Sequence, residues 1–306
     1  MSISELQSGL SECEAFLIVS PENRRYLTDF ESSDGFLLIT KNHSVFITDS
    51  RYIEAAGAKV KNCDEILLLK KASEQLSGLK EQFGISRFFV EAEKLTVKEF
   101  NTLSKWLKTG LDTSEADARI TAMRRFKSED EKQRIIAAQR ISEIAFDHIL
   151  TFIRPGVTEK DIRLELECCM IKNGADNPAF DTIAISGKNT SMPHGVPGSR
   201  KIENGDFITM DYGTLKDGYR SDMTRTIAVG NVSEKQAEVY NTVLRAQLSC
   251  LNTIRAGIPC READAAARNV IAEAGYGDFF GHGTGHGVGI DIHEAPSVGP
   301  RSEETL

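Results

Sequence analysis

Four of the six histidines in this chain of 306 residues lie in two segments rich in glycine and proline. His194 lies in SMPHGVPG, and His282, His286 and His293 lie in GHGTGHGVGIDIHEAP. Glycine lets a backbone approach a ligand closely, because it has no Cβ atom. A single loop histidine is usually solvent-facing or hydrogen-bonded, but this clustering among glycines predicts a functional site.

Two aspartates lie within apolar stretches that have the composition of β-strands. Asp211 lies in FITMDYG and Asp222 in YRSDMTRTIAV, and the TLKDG segment between them is typical of a hairpin turn. Their midpoint falls between Lys216 and Asp217, so a symmetric two-residue turn there would place the two carboxylates directly opposite each other. Opposed like charges destabilise a sheet. The pair therefore predicts a shared proton or a bound cation, whereas Asp217 is typical of an ordinary turn former.

A third ligand could come from the segment that carries His286 and His293. Imidazole together with carboxylates suits Zn, Mn, Fe or Co, and two divalent ions in a carboxylate-rich site are a standard device for activating water. Other hydrolytic chemistries have no support in the sequence, which contains no GxSxG motif, no HExxH motif and no cysteine beside a histidine. The pattern favours metal-assisted hydrolysis.

The elements that must position these residues begin with an α/β domain. Short runs rich in Ile, Val, Leu and Phe alternate with polar helical stretches, which is typical of a layered α/β fold. The predicted strands are 15–20, 35–41, 44–50, 65–70 and 87–93. The predicted helices are 21–30, 51–60, 73–84 and 96–107. No phosphate-binding fingerprint accompanies them.

A polar segment, 114–130, is interpreted as the boundary, which gives domains at 1–120 and 121–306. Ser128 and Glu131 have the spacing of a capping box. Apolar residues then recur at three- and four-residue spacing, which predicts a long amphipathic helix that opens the second domain. These residues are Ile135, Ala138, Ile141, Ala145, Ile149 and Phe152.

The second domain contains an internal repeat. ILTFIRPGV (149–157) and CLNTIRAGI (250–258) align at an offset of 101 residues, and Gly174 aligns with Gly275 at the same offset. Each copy is predicted to be a helix, a turn with glycine and a second helix. Coincidence between two helical hairpins is the alternative, but a duplication would predict a pseudo-two-fold axis with the site between the halves.

Composition excludes several classes of protein. The chain has 37 basic and 45 acidic residues, a net charge of −8, which argues against a nucleic-acid partner. No apolar run approaches the roughly 20 residues of a membrane span, and no signal peptide is visible. The six cysteines have no CxxC spacing and are expected to be reduced thiols. We therefore expect a cytoplasmic protein with no membrane partner.

Taken together, these motifs resemble the pita-bread metallopeptidases, a family that includes methionyl aminopeptidase, Xaa-Pro aminopeptidase and Xaa-Pro dipeptidase (prolidase). The segments that carry the resemblance are PHG (193–195), MDYG (210–213), SDMTRT (221–226) and GTGHGVGIDIHEAP (283–296). The first 115 residues resemble the amino-terminal domain of the Xaa-Pro peptidases and creatinase. The resemblance implies an α/β amino-terminal domain and an α+β pita-bread domain, with bacterial Xaa-Pro aminopeptidases as the nearest group.

The resemblance also implies a role for each site residue. Asp211 would bind one metal ion, Asp222 would bridge two, and His286 would bind the other. His293 would stabilise the tetrahedral intermediate, and His194 would contact the substrate near the scissile bond. The two divalent ions are expected to be Mn, with Co, Zn or Fe as alternatives. The glycine-rich run would form a tight β segment, and a homodimer is implied.

One departure from the family pattern leads to a further expectation. The family adds two metal-binding glutamates beyond this region, in an EPG-like segment and a late strand, and the present sequence ends with 301–306 before either. Glu294, Glu303 and Glu304 do not stand in those contexts. From this we expect that the carboxy-terminal end of the domain is missing, and that these residues alone bind at most one ion and are inactive. His282 has no role in the pattern.

The function that the sequence favours is hydrolysis of the peptide bond between an amino-terminal residue and proline. Aminopeptidase activity is preferred to dipeptidase (prolidase) activity, because the motif spacing resembles bacterial Xaa-Pro aminopeptidases. A creatinase-like hydrolase would need no metal, and the presence of Asp211, Asp222 and His286 counts against it. A non-enzymatic protein of this fold that binds peptides or partner proteins is the remaining alternative.

Overall fold

The computed structural model describes residues 3–306, which divide into two compact units, one ending at Phe126 and the other spanning Lys127–Leu306. The segment that was expected to be a polar boundary contains a helix, Ala116–Arg125, that belongs to the first unit. Ala116 and Ile120 are buried in it, although charged residues surround them in the sequence. No helix in residues 3–306 has both the length and the apolar character that a membrane crossing requires.

Across residues 3–126, six strands form one mixed sheet with the order β4-β3-β2-β1-β5-β6. The strands are β1 Glu14–Ile18, β2 Phe36–Thr40, β3 Ser44–Thr48, β4 Glu65–Leu68, β5 Arg87–Val90 and β6 Gly110–Asp112. The helices are α1 Ile3–Ser8, α2 Pro21–Thr28, α3 Ile53–Lys59, α4 Ala72–Gln82, α5 Val97–Leu107 and α6 Ala116–Arg125. Each strand and helix predicted for this part is confirmed, whereas α1, β6 and α6 were not predicted.

The sheet of the first unit is covered on both faces. Along β1, Phe16 and Ile18 pack into one apolar cluster, and Ala15 and Leu17 pack into a second. Because successive side chains of a strand point to opposite faces, a strand buried on both faces is a continuous apolar run. This is the pattern from which the sequence predicted the strands.

The second unit is built on two helical pairs. They are α7 Glu129–Phe152 with α8 Glu159–Lys172, and α9 Glu234–Thr253 with α10 Cys260–Glu273. Its strands are β7 Asn177–Pro178, β8 Ile183–Ser186, β9 Phe207–Tyr212, β10 Thr214–Lys216, β11 Tyr219–Arg220, β12 Met223–Ala228, β13 Gly285–Gly287 and β14 Glu294–Val298. The capping box of Ser128 and Glu131 and the long helix that follows it are confirmed.

The internal repeat is confirmed in the backbone. The carboxyl ends of the first helices, Phe152 and Thr253, and the first residues of the second helices, Glu159 and Cys260, each differ by 101 in number. The paired glycines share positive φ angles as well: Gly156 and Gly257 have 95° and 82°, and Gly174 and Gly275 have 96° and 83°. These conformations favour glycine, which explains why the glycines recur at this offset.

The structural repeat extends beyond the helices. Gly156 N donates to Ile202 O at 2.9 Å, and Gly257 N donates to Leu306 O at 2.9 Å. An extended segment therefore pairs with the turn between the two helices in each half. No sequence identity marks this pairing, because backbone groups make it.

The hairpin between the two aspartates has a different register from the one predicted. Its central residues are Asp217 and Gly218, which both have positive φ angles, 47° and 82°. An Asp-Gly pair favours such a turn, because both central positions of a type I′ turn require positive φ. The turn centre therefore lies one residue later than expected. Asp211 is paired with Thr224, and the predicted direct opposition to Asp222 is wrong.

The observed register still leaves the two carboxylates as neighbours. Asp222 precedes Thr224 by two residues, and residues two apart in an extended segment share a face. Asp222 is thus a diagonal cross-strand neighbour of Asp211. Diagonal neighbours in an antiparallel pair lie about 7–8 Å apart. Gly213, which follows β9, makes this geometry possible, because a Cβ atom added to it would lie 1.9 Å from Ser221 O.

We predict that Gly213→Ala lowers the free energy of unfolding by about 1–3 kcal/mol, because the added methyl group must displace backbone in a packed hairpin. The measurement is a urea unfolding curve. Gly281→Ala is the control, since an added Cβ there meets nothing within 4 Å, and its effect should stay within about 0.5 kcal/mol. Equal midpoints for the Gly213→Ala variant and the parent would contradict the close approach.

Candidate active site

A cavity of about 450 Å³ in the second unit is lined by the five predicted site residues. They are His194, Asp211, Asp222, His286 and His293. His282 does not line this cavity; its ring packs on Phe280 instead. Folding therefore brings together residues that are up to 99 positions apart in the chain, from His194 to His293.

Strand β9 presents Asp211 by simple alternation. Ile208, Met210 and Tyr212 are buried in the core of this unit, so Asp211 points to the opposite face. Thr224 Oγ1 donates a hydrogen bond to Asp211 Oδ1 at 2.8 Å. The core side of β9 thus fixes the strand, and the cross-strand threonine fixes the carboxylate.

His286 faces Asp222 across the cavity, with Nε2 3.4 Å from Asp222 Oδ2. The other ring nitrogen, Nδ1, lies 3.0 Å from Gly287 O. A carbonyl oxygen can only accept, so Nδ1 carries the proton and Nε2 of a neutral ring presents a lone pair. A lone pair and a carboxylate oxygen that face each other require a proton or a cation between them.

The electrostatics of Asp222 agree with this geometry. Burial raises the pKa of Asp222 above its ordinary value, and the negative charge of Asp211 raises it further, whereas His286 and His293 lower it. Two carboxylates in a partly buried site favour positive charge beside them. The site is therefore short of positive charge.

The strand that carries His286 is held by a buried ion pair. Asp264 on α10 is fully buried. It accepts hydrogen bonds from Thr284 N at 3.1 Å and Thr284 Oγ1 at 2.8 Å. Arg268 donates to the same carboxylate at 2.7 and 3.0 Å and also to the backbone oxygen of His282. The pair fixes the chain two residues before His286.

A second buried ion pair lies next to His293. Lys127 Nζ is 2.8 Å from Glu294 Oε2, and both side chains are largely buried. Glu294 Oε1 also accepts a hydrogen bond from Asp291 N at 3.0 Å. The ring of His293 packs edge-on against that of His286, with centroids 4.4 Å apart. The two rings are therefore held as a pair.

The sequence did not single out the other residues that line the cavity or hold its walls. Asp264 and Arg268 are spaced i, i+4 on a helix, which is also the spacing of ordinary surface pairs. Only burial distinguishes them. The remaining lining residues are Arg163, Phe180, Asp181, Thr182, Ile183, Gly195, Val196, Pro197 and Ile292.

The donor types at the cavity fit a divalent cation, since carboxylate and imidazole groups are its common ligands. The position of His286 Nε2, which faces Asp222 while Nδ1 faces the oxygen of Gly287, is the observation that supports this fit. Across the described residues, however, no group of three or more His, Cys, Asp or Glu side chains is arranged so that it could hold a metal ion. The donor chemistry of a metal site is therefore present in the cavity.

Comparison with known proteins identifies the class. Residues 133–306 match metallopeptidase family M24, and residues 8–126 match the creatinase/prolidase N-terminal domain. An Xaa-Pro dipeptidase from Pyrococcus horikoshii is 36% identical over 96% of this chain and 82% of its own length. The chain therefore belongs to metallopeptidase family M24, as the sequence motifs indicated.

Solved structures agree with this assignment. An Xaa-Pro dipeptidase from Bacillus anthracis superposes with a TM-score of 0.94 at 39% identity, over 99% of this chain and 86% of that one. An X-Pro aminopeptidase from Thermotoga maritima gives 0.91 at 34% identity, over 98% and 87%. The pita-bread fold with a creatinase-type amino-terminal domain is thus confirmed. The matches do not confirm a missing carboxy-terminal end, missing ligands or inactivity.

We predict that Asp264→Asn lowers the free energy of unfolding at pH 7 by roughly 3 kcal/mol, because it leaves Arg268 without its buried partner. Burial alone would raise the pKa of Asp264, but hydrogen bonds from Arg268 and Thr284 outweigh it and lower the pKa. The stabilisation is therefore complete above the unfolded value of about 3.9 and is lost as the pH falls through the lower folded value.

The difference between parent and variant should accordingly shrink as the pH is lowered from 7 to below about 4. Urea unfolding at several pH values measures it. Asp278→Asn, at an exposed position, is the control and should show no such trend. A difference that does not vary with pH would contradict the proposed ionisation of Asp264.

Proposed function

We propose that this protein hydrolyses the bond between an amino-terminal residue and proline, in a reaction that depends on divalent metal. The observation that carries the proposal is the pair of Asp222 and His286, whose facing oxygen and nitrogen atoms favour a cation between them, with Asp211 beside them. Membership in a metallopeptidase family supports it. The names of its relatives, which are Xaa-Pro peptidases, supply the substrate class.

In this proposal Asp211, Asp222 and His286 would hold the divalent metal, and we propose that two ions bind. Divalent ions at such a site lower the pKa of water toward neutrality and polarise a carbonyl oxygen. Manganese is our preferred ion, because carboxylate-rich sites suit it, with Co, Zn or Fe as alternatives. The hydrogen bond from His286 Nδ1 to Gly287 O keeps Nε2 available as a ligand.

The remaining two histidines act on the peptide. His293 packs against the ring of His286 and lines the same cavity, so it can donate a hydrogen bond to the oxygen on which negative charge develops. His194 lies on the loop that forms another wall of the cavity and would contact the peptide beside the scissile bond. We also propose the homodimer that the family resemblance implies; sedimentation equilibrium tests it.

Aminopeptidase activity is our preference, and dipeptidase activity is the second candidate. Relatives of both names occur at similar identity, 39% for a dipeptidase and 34% for an aminopeptidase. The two activities differ in the length of peptide that is cleaved. Comparison of kcat/KM for an Xaa-Pro dipeptide and an Xaa-Pro-Yaa tripeptide distinguishes them.

We predict that the protein cleaves an Xaa-Pro peptide, that chelation abolishes the activity, and that added Mn²⁺ restores it. Asp222→Asn should lose activity and metal content together, because we propose that this carboxylate would be a metal ligand. Asp217→Asn is the matched control: it removes a carboxylate from the same hairpin at a turn position where asparagine also tolerates positive φ. An Asp222→Asn variant that retains both its metal and its turnover would refute the assignment.

For His293→Ala we predict a separation of rate from metal binding. Loss of a donor directed at developing negative charge costs on the order of a hundredfold to a thousandfold in kcat. Metal content, measured by elemental analysis, should stay at the parent value. Loss of metal in this variant would instead mean that His293 is a ligand.

A further inference from the structure

The wall of the cavity that carries His194 is a loop with little apolar support of its own. This segment, residues 187–199, is called here the histidine loop; it follows β8 and begins with a short 3₁₀ turn, Gly187–Ser191. Met192 and Val196 are exposed, the latter by 81%. Because side chains of the loop point outward, its position must be fixed by polar contacts at its two ends.

A single buried carboxylate contacts both ends of the loop, and the backbone bond from Lys160 N to Gly198 O, at 3.0 Å, adds to it at the far end. Glu159, the first residue of α8, is only 1% exposed. Its Oε1 accepts hydrogen bonds from Ser186 N and Ser186 Oγ, each at 2.8 Å, and from Asn189 Nδ2 at 3.0 Å. Its Oε2 accepts a hydrogen bond from Gly198 N at 3.1 Å. One side chain therefore joins the residue before the loop to the loop's far end.

The negative charge of Glu159 is compensated locally. Its carboxylate lies at the amino end of α8, where the helix dipole favours an anion. Arg200 adds positive charge nearby: Nη1 donates to Ser186 Oγ at 2.6 Å and the guanidinium also binds both oxygens of Asp206. A buried carboxylate with four donors is stable only in this arrangement, because each unmade bond would cost free energy.

The internal repeat shows that the fold itself does not require this carboxylate. Cys260 occupies the equivalent position of the second helical pair, at the 101-residue offset of the repeat, and it is fully buried as well. The same helix–turn–helix thus forms with an uncharged residue at that place. The half of the repeat that has the histidine loop is the half that has Glu159. Within the described residues, the other half has Cys260 at that position and no loop of this form.

We propose that Glu159 is a positioning residue: by tying together the two ends of the histidine loop, it sets where His194 meets the peptide. The proposal rests on the proposed function in one respect, the contact between His194 and the substrate. The anchoring of the loop stands on the hydrogen bonds alone.

The first test is kinetic. Glu159→Gln keeps the side-chain shape but turns an amide N–H toward one set of donors, so the loop loses an anchor. We expect KM for an Xaa-Pro-Yaa peptide to rise about 10- to 100-fold, with a smaller change in kcat and unchanged metal content. Asp161→Asn is the matched control, because Asp161 lies in the same first helical turn and bonds only to Thr158. Parent-like KM in Glu159→Gln would overturn the proposal.

The second test separates positioning from general stability. If Glu159 acts through His194, the double variant Glu159→Gln with His194→Ala should be no worse than His194→Ala alone. If the role of Glu159 were purely structural, Glu159→Gln would lower activity by the same factor in the parent and in the His194→Ala variant. That result would overturn the proposal. Asn189→Ala removes only one of the four bonds to Glu159, and a smaller KM rise in the same direction is expected for it.

The third test needs no activity. Amide hydrogen exchange at Ser186 and Gly198 should be faster in Glu159→Gln than in the parent, and unchanged in Asp161→Asn. Parent-like exchange at both amides would overturn the anchoring. If the parent protein cleaves no Xaa-Pro peptide, the proposed function fails, and the exchange rates still decide whether Glu159 holds the loop.

Discussion

The rest of the second unit has to hold Asp222 and His286 in contact with each other. His286 Nε2 faces an Asp222 carboxylate oxygen at 3.4 Å, and a second carboxylate, Asp211, lies beside them. Such a group of electron pairs is unfavourable without positive charge. The surrounding structure therefore has to hold these side chains together against their mutual repulsion, which a flexible chain would relieve by moving them apart.

Buried acids supply that restraint in both halves of the repeat. Glu159 on α8 fixes the loop that carries His194, and Asp264 on α10 fixes the strand that carries His286. The two acids do not occupy equivalent positions, since the counterpart of Glu159 is Cys260. The duplicated helices thus provide the same kind of support by different residues, and each half holds one of the segments that line the cavity.

The hairpin shows where prediction from the sequence reached its limit. Composition was sufficient to predict an extended hairpin and the strand position of Asp211, but Asp222 lies between β11 and β12 and not within a strand. The relative placement of the two aspartates depended on the turn centre, and the positive φ angles at Asp217 and Gly218 moved it by one residue. A shift of one residue changes which side chains oppose each other, so Asp211 pairs with Thr224 and meets Asp222 only diagonally.

Local patterns in the sequence determined most of the elements, the capping box at Ser128, the repeat and the chemical groups of the site, because each depends on local residue types and spacing. Tertiary structure alone decided that Asp264 and Arg268 form a buried pair and that Glu159 reaches Gly198, 39 residues away. It also decided that His286 directs Nε2 at Asp222. These features depend on burial and on the direction of backbone carbonyl and amide groups, which residue types and spacing do not encode.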